Sequence, residues 1–144
     1  MKQYKSKKGG MVNADDAQVV GIHLERLTKK AKGTLATEEV LKDAKNSTSP
    51  IHKYFDWNNS TAAEKYRLQQ ARQLMGSIME VVVIGKEQKV TRSYYSIVDS
   101  SKKNKYVPVE IALTTKKYTH QIIAEAQEHI KRLNDTLTMF IKFN

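Results

Sequence analysis

Cysteine is absent from the 144 residues, which excludes disulfides, thiolate metal sites and cysteine nucleophiles together and fits a reducing compartment. Proline occurs twice and glycine six times, too few for a collagenous or Pro/Gly-rich low-complexity chain. Long apolar runs are missing as well. The longest covers residues 81–84, against the roughly 20 that a membrane span needs, and no apolar stretch follows the N-terminal lysines as it would in a secretory signal. The expectation is a cytoplasmic protein without membrane contact. Acids are scarce relative to bases, 15 against 25, which leaves a net charge of +10. A hydrophobic share of 40% is still enough to build one folded domain.

Residues 1–13 carry four lysines, no acid and a Gly pair, a composition that predicts a flexible basic tail. The single domain then spans 14–144, helical over 14–79 and sheet plus helix over 80–144. Ala17, Val20, Leu24, Leu27 and Ala31 recur at helical steps and stop at Gly33, and a short second helix starts at Thr37 with Val40, Leu41 and Ala44 inward. The loop 47–59 is rich in bulky residues that belong in a core. Asn59 or Ser60 is placed to cap a third helix reaching about Met79. On it Ala63, Tyr66, Leu68, Ala71, Leu74, Met75 and Ile78 are available for burial, and Lys65, Arg67, Gln70, Arg72 and Gln73 are expected outside.

Beyond Gly76 the pattern changes to β-branched and aromatic residues. Segments 81–84, 90–98 and 106–113 predict a three-stranded antiparallel meander with turns at 85–89 and 99–105, and Pro108 marks an edge or a bulge. A closing helix over 115–143 carries Ile123, Ala126, Ile130, Leu133, Leu137 and Phe140 at alternating steps of three and four. That seam suits cover over the sheet and also a homodimer through Ile123, Ile130, Leu133 and Leu137, and the two are compatible. The fold class is therefore α+β: a three-helix unit, a three-stranded antiparallel sheet and a C-terminal amphipathic helix.

The positive charge is uneven. It amounts to +5 over residues 1–34, +3 over 61–92 and +4 over 100–118, and it vanishes over 119–144. Such clustering is what phosphate neutralisation by several elements requires, and plain solubility is the other reading. Lys65, Arg67, Gln70 and Arg72 on the third helix, with Lys102, Lys103 and Lys105 on the second turn, form the expected nucleic-acid surface, since Arg and Gln read base edges and Lys holds phosphates. A helix-turn-helix-like arrangement suggests itself, but about 13 residues separate Asn46 from Ser60 where that motif has roughly 3–4, so an ordinary three-helix core is the competing reading. His52 and Asp56, even with His23, fall short of a metal site. His120 and His129 do not share a helix face. No hydrolase, P-loop or metalloprotease motif is present, so neither catalysis nor a cofactor is expected.

One stretch carries a family resemblance. Ser49-Pro50-Ile51-His52, Phe55-Asp56-Trp57, Ala62-Ala63, Tyr66-Arg67 and Gln70-Ala71-Arg72 resemble, in order and spacing, the signature of a small uncharacterised protein family of tailed bacteriophages and prophages. Its members also share the succession of short helix, motif, small sheet and amphipathic helix, so the resemblance spans about residues 17–140. It implies a phage origin and hence the cytoplasm of an infected host. It assigns no activity, although members are sometimes described as DNA-binding. Asn58 and Asn59 stand where acids are usual in the family, and the basic N-terminal segment is a further departure. The expected function is a non-enzymatic DNA-binding protein. The alternative is an inhibitor of a host protein or nucleoprotein defence complex.

Overall fold

A computed structural model describes residues 2–58 and 63–144. The element order is β1 (Tyr4–Ser6), α1 (Ala17–Lys30), α2 (Thr37–Ala44), a 3-10 turn at His52–Tyr54, α3 (Ala63–Gly76), β2 (Ile78–Ile84), β3 (Glu87–Arg92), β4 (Tyr94–Val98), β5 (Asn104–Pro108), α4 (Val109–Thr114) and α5 (Lys116–Lys142). This is the expected α+β class, with a three-stranded antiparallel sheet and a long closing helix. The proposed cap at Asn59 or Ser60 lies outside the described residues. The main core joins α1, α2, α3, the loop before α3 and the start of β2, through Leu24, Leu35, Val40, Ile51, Leu74 and Ile78 among others.

The N-terminal segment is not a tail. β1 pairs antiparallel with β2, Tyr4 opposite Glu80 and Ser6 opposite Ile78, and the Gln18 side chain accepts from the Tyr4 N–H at 2.9 Å and donates to the Lys2 carbonyl at 2.8 Å. The Tyr4 ring lies directly on α1 at Gly21, where a Cβ would sit 2.1 Å from the ring. A glycine in mid-helix costs helix propensity, and here it makes room for that ring. Lys5 points outward while Tyr4 and Val12 are buried. Three strand residues are too few to show a period, so composition alone suggested mobility.

The sheet also differs in its membership. Its three strands are β1, β2 and β3, whereas β4 and β5 form a separate two-stranded ribbon. The predicted strand 90–98 breaks at Ser93, which is buried. Its N–H donates to the Ile78 carbonyl at 3.0 Å and its own carbonyl accepts from Val109 N–H at 2.9 Å, so this one residue joins the sheet to the start of α4. The predicted strand 106–113 likewise ends at Pro108, which precedes the first turn of α4, where a missing N–H costs nothing. Tyr66, assigned inward, is exposed.

Beside Ser93, the Glu80 carboxylate is buried and accepts the Ser93 hydroxyl at 3.0 Å. Desolvation raises its pKa above 4.5, partly offset by Ser93 and Lys2. A carboxyl with a raised folded pKa destabilises the fold once the pH exceeds its unfolded value. Glu80→Gln, which keeps the acceptor, is therefore expected to raise the melting temperature at pH 7, with the gain shrinking as the pH falls toward about 4.5 and absent below it. Thermal melts at the two pH values measure it.

α5 covers the ribbon instead of the three-stranded sheet. Tyr118 and Ile122 pack on Ile97, Val107 and Ala112, and the Gln121 side chain clamps Val98 by accepting from its N–H at 2.8 Å and donating to its carbonyl at 3.0 Å. From Ile123 onward every residue is exposed.

Candidate nucleic-acid interface

Residues of the third helix divide into two groups. Ala63, Arg67, Gln70, Ala71 and Leu74 recur at spacings of four, three, one and three and share one buried stripe. Arg67 and Gln70 are each only 7% exposed, so neither presents its side chain to a partner. The Arg67 guanidinium lies 4.9 Å from the centre of the Trp57 ring. Its Nε donates to the Asp56 carbonyl at 2.9 Å and its Nη2 to the Asn58 carbonyl at 3.1 Å. Gln70 Oε1 accepts from the Asp56 N–H at 3.0 Å. Residue type points both of them to the DNA surface; the helical spacing with Ala63, Ala71 and Leu74 is the signal that places them inside. Lys65 and Arg72 are exposed.

Residues of the loop before α3 are drawn into the same packing. Trp57 Nε1 donates to the His52 carbonyl at 2.9 Å, the His52 ring stacks on Trp57 with centroids 4.7 Å apart, and its Nδ1 donates to the Ala44 carbonyl at 2.7 Å. Tyr54 donates its hydroxyl to Asp16, and the carboxylate there is held below its usual range by Lys53 and by that hydroxyl. His52 and Asp56 therefore face different partners and do not form the pair that sequence spacing allowed. His23 meets Asp43 instead: its Nε2 is 2.6 Å from Asp43 Oδ2, and Ser49 Oγ donates to the same oxygen at 2.6 Å while lying 3.3 Å from the same nitrogen. A nucleophilic triad assigns its serine and its carboxylate to different ring nitrogens. Here a single nitrogen serves both, and the cluster ties α1 to α2 and the motif loop. Among the described residues no group of three His, Asp or Glu side chains could hold a metal ion.

The turn before β5 is built around Asp99. Its Oδ1 accepts from the Ser101 hydroxyl at 2.6 Å, the Ser101 N–H at 2.9 Å and the Lys103 N–H at 3.1 Å. Lys105 Nζ is 3.2 Å from Oδ2. These bonds, the Ser101 hydroxyl first and the Lys103 N–H next, hold the carboxyl far below the usual carboxylate range. Lys102 adopts a left-handed φ of 62° at the tip of this turn.

This fixed turn places Lys103 and Lys105 with Arg72 of α3 in the lining of one open groove of about 850 Å³, which Ser101 and Asn104 also line. Glu38 and Glu39, at the start of α2, form part of its wall. Of the seven residues expected from sequence, the fold thus gathers Arg72, Lys103 and Lys105, leaves Lys65 and Lys102 exposed outside the groove lining, and withdraws Arg67 and Gln70. Glu38 and Glu39 are the participants that sequence reasoning missed. No helix among the described residues is long and apolar enough to cross a membrane. Comparison with protein-family models, curated proteins and solved structures returned no match.

Proposed function

We propose that this is a non-enzymatic, phage-encoded DNA-binding protein whose phosphate-contacting surface is the Arg72–Lys103–Lys105 groove, extended by Lys65 and Lys102. The observation that carries the reading is the convergence of three cations from two elements some 30 residues apart on a single open groove, with the Asn104 amide as a neutral donor beside them. Phosphates are held by this mixture of Arg, Lys and amide groups. Glu38 and Glu39 repel a phosphate from their side of the groove, so the DNA backbone runs along the wall made by α3 and the turn. With Arg67 and Gln70 buried, the contact is to phosphate and not to base edges, and binding is weakly selective for sequence. The phage origin rests on the motif alone.

An electrophoretic mobility shift with random and phage duplexes is expected at about 50 mM salt and strongly diminished at about 200 mM, because each neutralised phosphate releases counterions. No shift at the lower salt with either duplex overturns the reading. A stoichiometric host protein captured from nuclease-treated lysate, with no shift on DNA, replaces it by inhibition of a host protein.

A further inference from the structure

We infer that α5 pairs antiparallel with α5 of a second copy of this chain, through the seam formed by Ile123, Ala126, Ile130, Leu133, Leu137 and Phe140. The attachment of α5 to its own ribbon uses Tyr118, Gln121 and Ile122, on a face beside the seam. The apolar seam side chains remain about half exposed or more, Leu133 at 69%. A helix of 27 residues is about 40 Å long. At on the order of 100 Å² per large apolar side chain, the seam and neighbouring Ile141 offer several hundred Å² per protomer, the scale of the roughly 800 Å² that each partner of a stable interface buries.

Charge selects the occupant. No Lys, Arg, Asp or Glu occupies the seam or the positions flanking it, and the charged residues of 119–144 lie on the opposite side, three of each sign. An anionic lipid surface needs a basic polar face, which this helix lacks. A second copy brings an uncharged band against an uncharged band, and the rest of the +10 charge stays outside the contact. Side-chain volume selects the direction. A parallel pair stacks Ala126 on Ala126 and Phe140 on Phe140, leaving a void in one layer and overfilling another. Run antiparallel about the midpoint between residues 131 and 132, Ile123 meets Phe140, Ala126 meets Leu137 and Ile130 meets Leu133, so the layers are evenly filled. This arrangement also sets the two basic bodies at opposite ends of the helix pair, where their charges repel least.

Light scattering on the full chain is expected to read twice the 16.5 kDa mass for wild type and the single mass for Leu133→Glu, which keeps the Trp57 fluorescence of wild type because residue 133 touches no core. The cysteine-free chain allows the direction to be read separately. Ala126→Cys alone stays unlinked on oxidation, its two thiols being about 16 Å apart along the pair, and after subunit exchange it links to Leu137→Cys. A wild-type monomer at sub-millimolar concentration overturns the pairing, a Leu133→Glu dimer overturns the seam, and self-linking of Ala126→Cys overturns the antiparallel order.

Discussion

Arg67→Ala is expected to destabilise the fold by about 3–5 kcal/mol, since it strands two backbone carbonyls and removes a desolvated cation from an aromatic face. The carbonyls belong to Asp56 and Asn58, and the face to Trp57. Because that ring also stacks on His52 and bonds to its carbonyl, the loss spreads along the motif loop to Ile51 and Phe55 in the core. For a chain of this length the melting temperature falls by about 10–20 °C. Arg67→Lys does not rescue it, because one ammonium cannot bond both carbonyls while lying flat on indole. Denaturation followed by Trp57 fluorescence measures the effect. A variant that melts like wild type but loses DNA would show instead that Arg67 is a contact residue.

Replacing Arg72, Lys103 and Lys105 together by Ala is expected to lower the slope of log affinity against log salt by about 3, near one per phosphate contact removed. Folding should be retained, because Arg72 and Lys103 are exposed and, among the described residues, Lys105 is the one of the three in an ion pair, with Asp99. The converse change separates a local groove effect from a general effect of net charge. Glu38→Gln with Glu39→Gln on the groove wall should tighten binding, whereas neutralising Glu125 and Glu128 on α5, which alters the net charge equally, should leave the groove contact unchanged. Titration of a labelled duplex across a salt series reads both. An undiminished salt slope in the triple variant would move the interface elsewhere on the basic surface.

The distinction between these two sets of residues could be read from spacing only in part. Helical periodicity was sufficient for α1, α2 and the extent of α5, and the same rule applied to Ala63, Arg67, Gln70, Ala71 and Leu74 places the arginine and glutamine inside. Residue type pulled the other way, because Arg and Gln are ordinarily surface groups. What makes them tolerable in the interior is the set of acceptors and donors on the loop 56–58, which lies beside α3 only after folding.

Composition and local pattern by themselves determined the α+β class, the uncharged apolar seam of α5, the concentration of positive charge outside residues 119–144, and the absence of any cysteine chemistry. These are properties of one element or of the whole inventory, and they need no partner. Tertiary structure alone decided that Tyr4 closes over Gly21, that Ser93 carries the chain from one sheet to the next, that Pro108 ends a strand where α4 begins, and that Arg72 lines one groove with Lys103 and Lys105. Each depends on groups many residues apart, whose meeting is set by closure of the core and leaves no period in the local sequence.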